Sequence, residues 1–266
     1  DLMNEPCYYE PKGKIIDNFY HELVRELRKV DRNHIFFIEG DFYGHFFTDF
    51  TPYDDPNVAY SFHFYPSFVF VDNLVMNQEK KETEQINQIE RALFGDGEIN
   101  YVKNVLKRPL WCGETGISLK KSDLKLYESL LRDTIAVFEK HDLSWSIWNY
   151  KDARSMGCIY PKTDSLWMKF STFASGDWKF EEEFQKYLIS NDILKEMNLV
   201  HLPNGLQRKL NFRLLANNQL VLCNRYNDIF RKIPADELMT YPESFLFENC
   251  DQWPAIIDII KRYTKI

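Results

Sequence analysis

Four short runs of the chain are apolar and dense in aromatic and β-branched residues: HIFFIEG (34–40), VAYSFHFY (58–65), PLWCGETG (109–116) and LSWSIWNY (143–150). Each is bounded by turn formers and is too short for a buried helix, so each predicts a buried strand. Between them the apolar period lengthens. Residues 14–30 set Ile15, Ile16, Phe19, Tyr20, Leu23, Val24 and Leu27 on one helical face. Residues 122–140 do the same with Leu124, Tyr127, Leu131 and Phe138 behind a Ser122/Asp123 cap.

Strand and helix therefore alternate, which predicts parallel strands joined by crossover helices, in an open doubly wound sheet or a closed barrel. Polarity within the strands separates the two. In the second run Ser61, His63 and Tyr65 share one face while Val58, Tyr60, Phe62 and Phe64 share the other; in the fourth, Ser144, Ser146 and Trp148 oppose Trp145 and Ile147. A sheet covered by helices on both sides reads as uniformly apolar. A barrel strand instead packs its outer face under helices and turns its inner face polar toward the mouth. The pattern predicts an α/β fold of the TIM (β/α)8-barrel type.

Residues 67–107, with the charged helical stretch NQEKKETEQINQIERALF, read as an enlarged connection whose charged side is a solvated face. Residues 151–178 read as a long loop after the last strand, where Tyr160 and Trp167 are candidate sugar platforms. Beyond Phe180 the pattern is mostly helical, clearest in 206–230 and 251–266. The expected division is 1–190 for the barrel units and 191–266 for a mainly helical C-terminal extension packed on the barrel.

Composition narrows the function classes. A net charge of −7, with Lys and Arg scattered among Asp and Glu, leaves no basic stripe for a nucleic-acid backbone. No apolar run approaches the roughly 20 residues that span a bilayer. Five widely spaced cysteines without a C-x-x-C pair predict reduced thiols rather than a disulfide framework or zinc site. No cofactor or metal is expected. Localisation stays open between cytoplasmic and secreted, since any signal peptide would precede Asp1, and the oligomeric state is not legible.

Chemistry points to two carboxylates at two strand ends, Glu5 in DLMNEP and Glu114 in WCGETG. Distant in sequence, they come together if their strands belong to one barrel. Retaining cleavage of a glycosidic bond needs two carboxyl groups about 5–5.5 Å apart, one to protonate the leaving sugar and one to attack the anomeric carbon. Plainer readings stand beside this one: an exposed terminal acid for Glu5, a turn acid for Glu114, and core roles for His63 and Trp148. Glu39, at the end of the first run, either enters the cleft or does not.

Taken in order, NEP, SFHFYP, GETG and a strand ending in Trp before NYKD resemble glycoside hydrolase family 5, over the chain from its start to about residue 178. The resemblance implies a cellulase-like retaining β-glycosidase barrel, matched over its C-terminal part, about strands four to eight. It makes Glu5 the general acid/base and Asn4 the partner of the sugar 2-hydroxyl. Glu114 becomes the nucleophile, Tyr65 its hydrogen-bond donor, His63 an orienting group, and Trp148 the aromatic under the sugar. It implies an oligosaccharide or polysaccharide substrate, a glucan, mannan or related β-glycoside. With Glu5 closing strand four, the family's Arg and His at strands two and three fall outside these 266 residues, so the chain alone is expected to be poorly active and the Glu114 pKa to rise. The competing classes are a non-catalytic carbohydrate-binding remnant and a barrel enzyme whose carboxylates hold a metal.

Overall fold

The computed structural model describes residues 1–7, 14–66, 82–119, 124–175, 220, 223–224 and 226–264. The Ser122/Asp123 cap and most of the 206–230 stretch lie outside them. The described residues group into two compact units, Asp1–Ile159 with Gln252–Ile266, and Tyr160–Asp251.

In the first unit all four apolar runs form strands: β1 (Phe36–Glu39), β2 (Val58–His63), β3 (Leu110–Thr115) and β4 (Ser144–Ile147). They pair in parallel in the order β1-β2-β3-β4. Sequential order without a reversal is the arrangement of consecutive barrel units; a doubly wound sheet turns back at a switch point. The N-terminal segment, expected as a fifth strand, is not one. Leu2 donates its N–H to Phe37 O of β1 at 3.1 Å, and Tyr20 Oη donates to Met3 O at 3.3 Å. The backbone then departs from extended geometry, with Glu5 at φ 47°. The segment is pinned beside β1 by single bonds rather than by a ladder.

The helices α1 (Lys14–Leu27), α2 (Glu82–Phe94) and α3 (Leu124–Lys140) belong to this unit, α2 crossing from β2 to β3 and α3 from β3 to β4. The buried stripe of α1 is narrower than its apolar pattern. Ile16, Tyr20 and Val24, spaced four apart, are buried, whereas Ile15 and Phe19 are each 47% exposed. Asp17 is buried beside this i, i+4 row, and the flanking apolar positions Ile15 and Phe19 stay wet. The charged connection likewise has a buried side: Ile89 and Leu93 of α2 are core residues. On α3, Tyr127, Leu130, Leu131, Ile135 and Phe138 are buried, and the Phe138 ring meets Phe62 and Phe64 edge-on. Ile38, Tyr60, Phe62 and Cys112 form the outer side of the sheet in that core.

In the second unit, α4 (Leu166–Ser175) carries Trp167 and Phe170 into an aromatic cluster with Tyr226, Phe230 and Tyr241. Trp167 is thus partly buried packing rather than an open sugar platform. The chain re-enters the first unit with α5 (Pro254–Tyr263), which buries Ile256 and Ile259 next to Trp253, whose indole N–H donates to Glu128 Oε1 of α3 at 2.7 Å.

Candidate active site

Register positions the chemistry. Phe62 pairs with Cys112, but the next residue of β2, His63, pairs with Glu114, so β3 spends two residues against one and bulges at Gly113. The same insertion recurs against β4, where Cys112 faces Trp145 and Thr115 faces Ile147. Gly113 is required there: a Cβ would lie 2.6 Å from Ser61 Oγ and 3.5 Å from His63 Nε2. The bulge turns Glu114 onto the same face as His63, at the C-terminal ends of the strands.

Five side chains meet at these ends. His63 is buried between three carboxylates: Nδ1 lies 2.9 Å from Glu5 Oε1 and 3.5 Å from Glu114 Oε2, and Nε2 lies 3.0 Å from Glu39 Oε1. The Nε2 contact is close enough for an ion pair but is not aligned as a hydrogen bond, since Glu39 Oε1 has no hydrogen-bond partner. Glu39 Oε2 accepts the backbone N–H of Glu5 at 2.6 Å. Tyr65 Oη donates to Glu114 Oε2 at 2.5 Å. One oxygen of Glu5, one nitrogen of His63 and one oxygen of Glu114 all lie within 4.8 Å of one another.

Burial grades the acids: the Glu39 side chain is 0% exposed, Glu114 12% and Glu5 33%. Burial pushes the Glu114 carboxyl above its usual range, and the charges of Glu5 and Glu39 add to this while the Tyr65 hydroxyl and His63 oppose it. Desolvation is the first cause of the rise. For His63, burial alone would depress the imidazole; Glu39, Glu5 and Glu114 outweigh it and raise the pKa to about 9. Its ring is therefore an imidazolium at neutral pH. Burial, and then the bond to Glu114, push the Tyr65 phenol up as well, so it stays a donor.

The Glu5, His63 and Glu114 cluster is the grouping among the described residues that could surround a cation.

The remaining expected residues lie at the edges of this cluster. Asn4 is exposed beside Glu5 in the chain. Trp148 follows β4, is 46% exposed, and is tied to β3 by its N–H to Thr115 O at 2.8 Å; its bond to Asn149 is cis. Gly116 makes room for this, because a Cβ there would lie 2.5 Å from Trp148 O. Glu39 is the residue that the sequence left undecided. Its signal, a charge closing an apolar strand, is shared by many solvent-facing strand ends.

The model of the Cellulase family (glycosyl hydrolase family 5) matches residues 1–154. A β-xylosidase of Phanerodontia chrysosporium is 26% identical over 93% of this chain and 57% of its own length. Endoglucanase C of Acetivibrio thermocellus is 23% identical over 57% and 53%, and mannan endo-1,4-beta-mannosidase 7 of Arabidopsis thaliana is 31% identical over 46% and 30%. The chain spans about half the length of the first two. Among solved structures, the Clostridial cellulose synthase subunit Z from Clostridioides difficile aligns at a TM-score of 0.48 and 18% identity, over 59% of this chain and 54% of that one. Four parallel strands in barrel order, their carboxylates gathered at the C-terminal ends, and a family match over more than half of the residues lead to one assignment: the chain belongs to glycosyl hydrolase family 5 and carries part of its α/β barrel.

Proposed function

We propose that this chain carries the catalytic carboxylates of a retaining glycoside hydrolase that cleaves β-glycosidic bonds by double displacement. The observation that carries the reading is the approach of a Glu5 oxygen and a Glu114 oxygen to within 4.8 Å. A nucleophile and an acid/base acting on the same anomeric carbon stand about 5–5.5 Å apart, whereas inversion needs about 6.5–9.5 Å to admit a water between them. The polysaccharide and xyloside activities in the names of the relatives favour a β-linked glucan, mannan or xyloside as substrate.

Each side chain then has one task. Tyr65 and His63 face Glu114 Oε2, which leaves Oε1 to attack the anomeric carbon. His63 faces Glu5 Oε1, so Glu5 Oε2 carries the proton delivered to the departing sugar oxygen. Attack converts the Glu114 carboxylate to an ester. Glu5, now ionised, takes a proton from water as that water hydrolyses the ester and restores the carboxylate. Asn4 is assigned the sugar 2-hydroxyl and Trp148 the apolar face of the ring in the cleavage subsite. The division into barrel units over 1–190 and a helical extension over 191–266 is proposed with it.

A fluorinated glycoside followed by peptide mapping tests the reading. The covalent label is expected on Glu114, and a label elsewhere removes that assignment. Glu5→Ala is expected to keep turnover on substrates with good leaving groups and to be accelerated by azide, which replaces the water that Glu5 would activate. Loss of both responses would take the acid/base role from Glu5.

A further inference from the structure

We propose that Glu39 is a positioning residue for the reaction, holding the backbone of the acid/base with one carboxylate oxygen and the orientation and charge of His63 with the other. The proposal rests on the catalytic reading of Glu5 and Glu114 given above.

Its position argues for the role. Glu39 closes β1, is completely buried and cannot reach a substrate. Each of its oxygens faces the site: Oε2 takes the Glu5 N–H at 2.6 Å and Oε1 stands 3.0 Å from His63 Nε2. Glu5 adopts a left-handed backbone at φ 47°, which disfavours a residue with a Cβ and needs an outside hold. A charge-assisted bond to its own N–H supplies that hold where no strand ladder exists. Gly44, at φ +79°, lets the neighbouring turn close on the pair: a Cβ there would sit 3.5 Å from Glu39 Oε2 and 3.2 Å from His63 N.

Charge completes the argument. Among the described residues the cationic partner of Glu39 is the His63 ring. Titratable groups face that ring from every side: Glu5 on the N-terminal segment, Glu39 on β1, Glu114 on β3, and His45 on the turn after β1, which interacts with it electrostatically. A buried amide at position 39 would still accept the Glu5 N–H but could not balance an imidazolium. The need for a charge here therefore lies in His63, and through it in Glu5 and Glu114.

Glu39→Gln in the full enzyme separates this from a packing role, because volume and one acceptor are retained. We expect kcat to fall about 10²-fold, the scale of a misplaced catalytic group, with KM unchanged. The alkaline limb of the kcat profile should move to lower pH, since the imidazolium loses a partner that keeps it charged. Histidine ¹⁵N NMR should show His63 losing its proton at lower pH than in the parent enzyme. Glu39→Asp, with the charge retained one methylene short, should recover most of the His63 titration and only part of kcat. Parental titration and pH profile in Glu39→Gln would overturn the proposal. Absence of glycoside hydrolysis in the parent enzyme would instead sink the catalytic reading, while the NMR shift would still report the Glu39–His63 pair. Should Glu39→Gln not fold, the parent decides: a strongly deshielded Glu5 amide proton and a doubly protonated His63 at pH 8 support the proposal, and an ordinary amide with a neutral ring refutes it.

Discussion

Asp133 on α3 and the carboxylates at the strand ends are both buried anions of the first unit, but they are compensated differently. Asp133 is 2% exposed, accepts the Gln85 amide at 2.7 Å from α2, and lies 2.9 Å from Arg132 Nη2. A cation and a neutral donor are among the partners of that anion. At the strand ends three carboxylates surround a single imidazolium, and the result is a Glu114 held above its usual pKa and a His63 raised to about 9. A buried ion left uncompensated costs stability. The strand ends keep an excess of anions, and perturbed pKa values of this kind gather where a fold performs chemistry.

The strongest break in this comparison is Glu114→Gln. Turnover should fall by about 10⁴-fold or more, the scale reached when an enzyme loses its covalent nucleophile. Stability should move the other way. An acid whose folded pKa lies above its unfolded value binds more protons folded than unfolded between the two, so stability drops as pH rises through that window. The variant should therefore unfold at a higher temperature near neutral pH, with a flatter dependence on pH above 4.5, read by calorimetry.

Tyr65→Phe is next in size. It removes a hydrogen bond to a charged group, worth about 1.5–3 kcal/mol, so kcat/KM should fall roughly ten- to hundredfold. Because the hydroxyl opposes the rise of the Glu114 pKa, the acidic limb of the pH–rate profile should move to higher pH. An unmoved limb would separate Tyr65 from the charge balance of the site.

Asp133→Ala sharpens the contrast from the other side. Leaving the Gln85 amide and the Arg132 guanidinium without this acceptor should cost about 1–3 kcal/mol of stability in chemical unfolding. The pH–rate profile should not change; a shifted profile would mean that the helix layer and the strand ends are electrically coupled.

Gly44→Ala carries the smallest effect. The left-handed backbone at φ +79° should cost about 1–2 kcal/mol. Pressure on His63 N should lower kcat slightly more than stability alone explains, measured at a temperature where the variant is fully folded.

The hydrophobic pattern by itself determined the four strands, the helices α1 and α3 and the faces that carry Ser61, His63 and Tyr65, because a period of 2.0 or 3.6 is local information. It also marked Glu5 and Glu114, since an acid closing an apolar run beside turn formers is visible without a partner. Other features came from tertiary structure alone. That Leu2 borders β1 by one bond, and that Ile15 and Phe19 of α1 stay exposed, are such features. The bulge at Gly113 is a disagreement between two strands and is written in neither. Glu39 reads in sequence as one more charge at a strand end. It joined the site because the fold buried it and placed Glu5 N–H on one oxygen and His63 beside the other. Electrostatic roles of this kind depend on which groups share a small, dry volume, and only the folded chain sets that.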